Sequence, residues 1–372
     1  MTTPEAATKY RQVYEELHAG ILDGRYRPGQ KLPSEAQLMR KYDVSRTTVI
    51  RAFRDLEAVG MVLRRRGSGT FVAEPSGAVR GPDLALFAPF VERGADLAYV
   101  EGLIHQHLAH LAGEHHARLM LQCVSGGGFT WAQRLRDATA TVRGSGVRGV
   151  LYYPAELPDE QMHLNRWAVD SLKGAGMAVV LIDRDIVPTP DRSELTRIGF
   201  DNRRGGYLLT DHLIRQGCRR IAFVGIPEAS TAVADRLAGY HEALRRHGLA
   251  AEEGLVRSAD EPELSEQFCR SLMDEARPDA IIGKMDRFAA LVGRHLMRMG
   301  LRIGQDVKLA GFDDDPIAGL LPVPLTTIRL PAKPFAEAAY QAAMLRIQEP
   351  DAAPRQIIID VELVVRESST RC

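Results

Sequence analysis

The sequence predicts a multidomain protein: a small α+β head of short helices and one hairpin, then a larger α/β body of two lobes built on parallel sheets. Three observations carry this reading. At roughly 100–200 residues per domain, 372 residues make two or three domains. Residues 74–82, Glu-Pro-Ser-Gly-Ala-Val-Arg-Gly-Pro, have turn-forming composition and no apolar periodicity, so they read as a linker between 1–73 and 83–372. Beyond them, apolar runs alternate with helical patterns, the signature of βαβ units.

Composition narrows the class. With 45% hydrophobic and 26% charged residues there is ample material for a core, which excludes a largely disordered chain. The longest clean apolar run, Met177 to Ile182, is far below the roughly 18 residues a membrane crossing needs. The N-terminus has no basic-then-apolar signal pattern. Four widely spaced cysteines without a CxxC pair fit free thiols in a reducing cytoplasm. Net charge is zero but unevenly spread: residues 1–73 hold thirteen Lys and Arg against eight acids, so the head carries +5 and the remainder −5. A basic module on an acidic body suggests a polyanion partner for the head alone.

Within the head, Tyr10, Val13, Tyr14, Leu17 and Ile21 recur at helical spacing. A turn at Arg27-Pro28-Gly29 follows. Ser34 with Gln37 then forms a capping box that opens a short helix ending near Tyr42-Asp43. Ser45 caps the next helix. On that helix Val49, Ala52, Phe53 and Leu56 share an apolar face, Thr47, Arg51 and Arg54 lie opposite, and Arg46 stands at the N-terminal turn. Two short helices across a tight turn form a helix-turn-helix. An Arg/Thr front on such a helix suits a major groove, where Arg pairs with guanine. Residues 62–72 read as two strands around Gly67-Ser68-Gly69, edged by Arg64, Arg65 and Arg66. That hairpin is a wing able to meet a phosphate backbone or minor groove.

The run GRYRPGQKLPSEAQLMRKYDVSRTTVIRAFRDLEAVGMVLRRRGSGTFV closely resembles the winged helix-turn-helix of the GntR family of bacterial transcription regulators. The resemblance implies DNA contacts from Arg46, Thr47 and Arg51 on the recognition helix and from Arg66, Gly67 and Ser68 on the wing. Some members carry a DNA-contacting arginine where this chain has Ala36, so that contact is lost here.

In the body, strands are expected at Leu84–Ala88, Leu119–Val124, Gly149–Tyr153, Ala178–Ile182, Arg220–Val224, Ala280–Ile282 and Val307–Gly311. Helices are expected around 96–113, 131–143, 160–173, 203–216, 236–247, 263–276 and 287–299. Roughly 290 residues exceed one comfortable open sheet, hence two lobes. Ligands in such folds sit at the carboxyl ends of strands. Asp183 and Arg184, Asp286, and Asp313-Asp314-Asp315 all follow strands, and Arg236 stands at a helix start. Carboxylates and an arginine converging on a cleft suit a sugar or another small polyol; strand-end Asp residues also cap helices or face water.

The segments IGFDNRRGGYLLTDHLIRQGCRRIAFVG, DRLAGYHEAL and GFDDDPIAGLLPVPLTTI resemble the effector domain of the LacI/GalR family, itself similar to periplasmic sugar-binding proteins. The resemblance implies a two-lobed, periplasmic-binding-protein-like body. In it Arg236 clamps the effector, Asp313 hydrogen-bonds it and Asp183 contributes from the opposite lobe. Asp286 matches the Asp of an Asn-Asp pair whose Asn position is Met285, which takes away an amide for sugar hydroxyls and points away from an ordinary hexose. Phe90, after the first strand, is a candidate for stacking on a ring. The head–body combination resembles the arabinose-repressor subgroup.

Other constellations carry less. His105, His107, His110, His115 and His116 crowd one region, but no carboxylate completes a ligand set, so no metal is expected. Gly126-Gly127-Gly128 lacks the Gly-Lys-Ser/Thr ending of a phosphate loop. A rival reading, a DNA-binding head on a cofactor-dependent enzyme such as an aminotransferase-like domain holding pyridoxal phosphate, needs a Schiff-base lysine. Lys173, Lys284, Lys308 and Lys333 stand in no such setting. The expectation is a cytoplasmic, homodimeric repressor of carbohydrate-utilisation genes. It would carry no enzymatic activity and no cofactor, bind double-stranded operator DNA, and respond to a sugar-like effector.

Overall fold

The computed structural model describes the chain except residues 1–3, 23, 28, 59–60, 66–67, 73–81, 89–98, 124–129, 156–162, 188–190, 226–229, 253, 260–262 and 371–372. It divides into two compact units, Met1–Arg80 and Gly81–Cys372.

The first unit holds α1 (Pro4–Leu22), α2 (Glu35–Tyr42) and α3 (Arg46–Ala58), then β1 (Val62–Arg65) paired antiparallel with β2 (Gly69–Val72). The capping box at Ser34 and Gln37 is present. Ser45 Oγ accepts from the Thr48 amide 3.2 Å away, which starts α3. The residues assigned to the apolar face of α3 are the ones the core uses: Val49, Ala52, Phe53 and Leu56 pack with Val13, Leu17, Leu38, Val62 and Val72. Burying those side chains against one another fixes the three helices and the hairpin as one unit.

The second unit runs β3 (Leu84–Ala88), α4 (Tyr99–Glu114), β4 (Leu119–Cys123), α5 (Trp131–Gly144), β5 (Gly149–Tyr152), α6 (His163–Gly174), β6 (Ala178–Ile182) and β7 (Thr196–Phe200). It continues with α7 (Asn202–Arg215), β8 (Ile221–Val224), α8 (Thr231–Arg246), β9 (Val256–Arg257), α9 (Glu266–Ser271) and a π-helical turn, Leu272–Ala276. Then come β10 (Ala280–Gly283), α10 (Asp286–Arg298), β11 (Lys308–Ala310), α11 (Pro316–Leu320), β12 (Thr327–Arg329), α12 (Ala332–Gln348), β13 (Gln356–Ile359) and β14 (Glu362–Val364). One lobe has a six-stranded parallel sheet ordered β13-β7-β6-β5-β3-β4, the other a four-stranded parallel sheet ordered β11-β10-β8-β9. The chain crosses between lobes after β7, before α12 and after β13. A short antiparallel ribbon, β12 with β14, lies in the connecting segments. Arg329 ties it by bonding Glu362 at 3.0 Å and Asp314 at 2.8 Å.

Several elements depart from the sequence expectation, each for a physical reason. β7 is interrupted by Arg197 and Gly199, so its apolar run is broken. α12 is not among the helices expected from the sequence; it is buried around much of its circumference, with Ala332, Phe335, Ala336, Ala339, Tyr340, Ala342, Ala343 and Ile347 all inside. Its polar stripe is thin, Lys333, Glu337, Gln341 and Gln348 among alanines, so it gives only a weak amphipathic signal. α8 begins at Thr231, which places Arg236 in its second turn rather than at its start. The helix expected over 263–276 becomes α9 and the π-helical turn.

Gly206 and Gly239 set the site's geometry. A methyl at Gly206 would overlap the Arg236 carbonyl, and one at Gly239 the Arg203 carbonyl. Only with both glycines can α7 and α8 approach backbone to backbone, and that approach seats Arg236.

Candidate functional site

Where β5, β6, β7 and β11 end, the two lobes face one another across a crevice lined by Glu101, Tyr153, Asp183, Arg184, Arg236 and Asp313, with Met285, Phe200 and Leu330 as apolar walls. Three of the five residues assigned to effector binding thus meet: Asp183 from one lobe, Arg236 and Asp313 from the other. Phe90 lies outside the described residues.

Arg236 is 7% exposed and held on every side. Nε donates to Asn202 Oδ1 at 2.8 Å, Nη1 donates to the Lys284 carbonyl, and Nη2 lies 3.6 Å from Asp313 Oδ1. The guanidinium also sits 4.3 Å over the Phe312 ring. A planar fork fixed in this way presents its remaining edge in one orientation, which suits recognition of oxygen-rich ligands.

The two acidic groups sit on strained backbone, Asp183 buried and Asp313 half-buried. Asp183 has φ 65° and Asp313 φ 103°, both in the left-handed half of backbone space. Such conformations cost of order 1–3 kcal/mol and cluster at functional sites. The Asp313 amide donates to the Ile328 carbonyl at 2.8 Å, and Arg197 donates to the Asp183 carbonyl at 3.1 Å, so backbone bonds hold both carboxylates in place. Burial raises the Asp313 carboxyl above its ordinary range while Arg236 pulls it down.

Glu101, in the first turn of α4, was not singled out from the sequence. Burial pushes its carboxyl up to about 7; Asp313 and Asp183 add to the shift and Arg184 opposes it. Its signal was positional: it opens the helix that follows the first strand of the body, the same kind of place as Asp183 and Asp313.

Asp286 sits elsewhere. It is 1% exposed, and both oxygens are committed: Oδ1 accepts from Thr327 Oγ1 at 2.6 Å and Oδ2 from the Asp315 amide at 2.8 Å. Burial pushes its carboxyl up to about 8, with Asp313 adding to the rise. The carboxylate braces the 313–315 loop from behind, and its neighbour Met285 is the residue that reaches the crevice. Gly311 leaves the room it needs, since a methyl there would overlap Asp286.

On the head, Arg46, Thr47 and Arg51 lie along α3 and Ser68 is exposed at the hairpin; Arg66 and Gly67 lie outside the described residues. Glu35 couples the helix to the hairpin, accepting from Arg46 Nε at 2.9 Å and Arg64 Nη2 at 2.7 Å. Thr47 Oγ1 lies 2.8 Å from Ser45 Oγ. The Arg51 guanidinium is 4.6 Å from the Tyr10 ring centroid, and Tyr10 donates to Asp55 at 2.7 Å. The arginine side chains at 46, 51 and 54 remain 71%, 53% and 70% exposed, so their ion pairs are weak enough to exchange for phosphates or bases.

Comparison with known proteins matches this geometry at both ends. Residues 9–72 match the bacterial regulatory proteins of the gntR family, and residues 210–369 match a periplasmic binding protein-like domain. The chain joins a GntR-type head to a periplasmic-binding-protein-like body. The arabinose metabolism transcriptional repressor of Geobacillus stearothermophilus is 29% identical to this GntR-headed chain, over 97% of each. Another relative, the HTH-type transcriptional regulator CelR of Thermobifida fusca, is 30% identical over 47% of this chain and 52% of its own length. Among solved structures, the transcriptional regulator CelR–cellobiose complex aligns with TM-score 0.65 at 24% identity, covering 87% of this chain and 91% of that one. The Lac repressor dimer bound to operator and an anti-inducer aligns with TM-score 0.63 at 21% identity, over 79% and 96%. These two alignments speak for the LacI-type fold.

Among the described residues no group of three or more His, Cys, Asp or Glu side chains could hold a metal ion; His110 pairs with Glu114 at 3.4 Å and His115 stacks on Tyr340 at 5.2 Å. Among the described residues no helix is long and apolar enough to cross a membrane.

Proposed function

We propose that the protein is a ligand-responsive transcription repressor of carbohydrate-utilisation genes, whose affinity for operator DNA changes when a small sugar-like effector binds between the two lobes. The observation that carries this reading is the crevice itself. A guanidinium locked by Asn202, Phe312 and Asp313 faces Asp183 and Glu101 from the other lobe, on a chain whose residues 9–72 match a family of bacterial regulatory proteins. Hydroxyl-rich molecules satisfy such a set by donating to the carboxylates and accepting from the arginine. Relatives named as arabinose metabolism repressors, and a neighbour solved with cellobiose, support the sugar class.

Arg46, Thr47, Arg51 and the wing residues Arg66, Gly67 and Ser68 are the DNA contacts in this reading; Arg236, Asp183 and Asp313 hold the effector. Asp286 acts through the 313–315 loop. A homodimer on a pseudo-palindromic operator doubles the base contacts of one small head. The protein acts in the cytoplasm and catalyses no reaction. Met285, in place of an amide at the crevice wall, favours an effector with an apolar edge over an ordinary hexose.

A thermal-shift screen of pentoses, hexoses, uronic acids and sugar phosphates tests this, since a ligand preferring the native state raises the melting temperature. A neutral sugar should raise it in the wild type and not in Arg236→Ala. An equal rise in both proteins would place the effector elsewhere.

A further inference from the structure

We propose that the body carries a second ligand site, for a small anion such as a phosphorylated or polycarboxylate metabolite, at the end of the six-stranded lobe opposite the crevice. A cavity of about 320 Å³ opens where β5, β6 and β7 begin. That volume falls in the range of small-molecule pockets, roughly 300–1,000 Å³. Its floor is apolar, with Met177, Leu195 and Ile347, and its polar wall is made of Arg148, Lys173 and Arg346 with no carboxylate among the lining residues. This site does not depend on the reading of the crevice.

The charge does not cancel locally. Lys173 closes the last turn of α6 and Arg346 the last turn of α12, where a cation ordinarily offsets the carbonyl end of a helix. Each helix end is worth about half a negative charge, so two ends leave an excess of about two positive charges over the three side chains. Arg148 precedes a strand and has no helix end to serve. Arg346 donates to the Ala352 carbonyl, whereas among the described residues the Arg148 and Lys173 side chains have no partner. The adjoining crevice shares Lys173 and adds Arg166 and Arg192 against Asp170 and Glu194, so it brings no counter-charge to spare. Two free cations and one anchored guanidinium above an apolar floor match an anion with a carbon frame.

The position gives such a ligand mechanical reach. β6 starts in this cavity at Ala178 and ends at Ile182, directly before Asp183; β5 starts after Arg148 and ends at Tyr152, directly before Tyr153. At 3.3 Å per residue β5 spans about 13 Å and β6 about 17 Å, so the two sites sit at opposite ends of the same pair of strands.

The test is calorimetric melting of the full chain with pyrophosphate or citrate, ionic strength being held constant with chloride. Either anion at millimolar concentration should raise the body's transition by roughly 2 °C or more, and the rise should vanish in Arg148→Glu/Lys173→Glu. Lys173→Ala, which removes one charge without adding another, should weaken anion binding about tenfold by isothermal titration, a step corresponding to one charge-assisted contact. No rise in the wild type, or an equal rise in the double variant, would overturn the proposal. So would an unresponsive wild type whose double variant loses operator affinity, because the cations would then serve DNA phosphates.

Discussion

Replacing Glu101 by Gln should flatten the pH dependence of the body's stability between about pH 6 and 8. In the folded protein burial pushes this carboxyl up to about 7, from an ordinary 4.5. The folded state therefore holds a proton that the unfolded chain has already released. Stability from that proton is fully present below about pH 4.5 and is lost as pH climbs through the folded value. With those two values, proton linkage gives a loss of about 1.3 kcal/mol between pH 6 and 8. At roughly 2–4 °C per kcal/mol for a unit of this size, calorimetry at constant ionic strength should show wild-type melting fall by several degrees. Asp286, pushed up to about 8, contributes in the same direction and remains in the variant. The Glu101→Gln slope should thus be about 3 °C shallower rather than zero, and the variant should be the more stable protein at pH 8. A Glu101→Gln protein with the wild-type slope, or one less stable than wild type at pH 8, would refute the idea that this carboxyl is buried against Asp183 and Asp313.

Arg46→Ala should weaken operator binding by about 10- to 100-fold, the worth of one bidentate base contact, while the effector's thermal shift stays as in the wild type; anisotropy titrations check this, and parallel loss of both would count against a division of labour between head and body. Arg236→Ala should leave operator binding intact and abolish the effector response. It should also lower melting, because truncating one member of a buried, hydrogen-bonded pair costs about 3–5 kcal/mol. Gly206→Ala should destabilise the body by about 1–3 kcal/mol by forcing α7 off α8; a melting temperature unchanged from wild type would show that the two helices do not meet backbone to backbone. Met285→Asn should widen the range of hydroxyl-rich ligands detected by thermal shift, and an unchanged ligand profile would remove Met285 from the specificity argument.

The head was legible in the sequence because its signals are local. A capping box, a second capped helix with one apolar face and a Gly-Ser-Gly hairpin each occupy a few consecutive residues, and the structure shows all but the hairpin tip among its described residues. The buried strands Leu84–Ala88 and Ala178–Ile182 were read to the residue, since a run enclosed on both faces is continuously apolar. Elements whose identity depends on distant partners were not. β13 joins β7 across more than 150 residues of chain, and α12 buries most of its circumference, leaving only a thin polar stripe.

The candidate site divides the same way. Asp183, Arg236 and Asp313, which a strand end or a family-like segment marks in the sequence, meet in the crevice. Asp286 occupies the expected position in sequence, yet its carboxylate turns inward to Thr327 and the Asp315 amide, a choice made by residues 29 and 41 positions away. Glu101 needs the opposite lobe's Asp313 before it becomes unusual. No local pattern contains that fact.

The claim at the centre of this account is that occupancy of the crevice sets the affinity of the head for DNA. The most direct measurement is fluorescence anisotropy of a labelled operator, recovered by in vitro selection with the full chain, titrated in the presence and absence of the sugar that gives the largest thermal shift. The account predicts that this sugar changes the operator dissociation constant by roughly 5- to 150-fold, the usual span of allosteric coupling, and that Arg236→Ala removes the change without altering affinity in its absence. A sugar that stabilises the body yet leaves operator affinity untouched would contradict it.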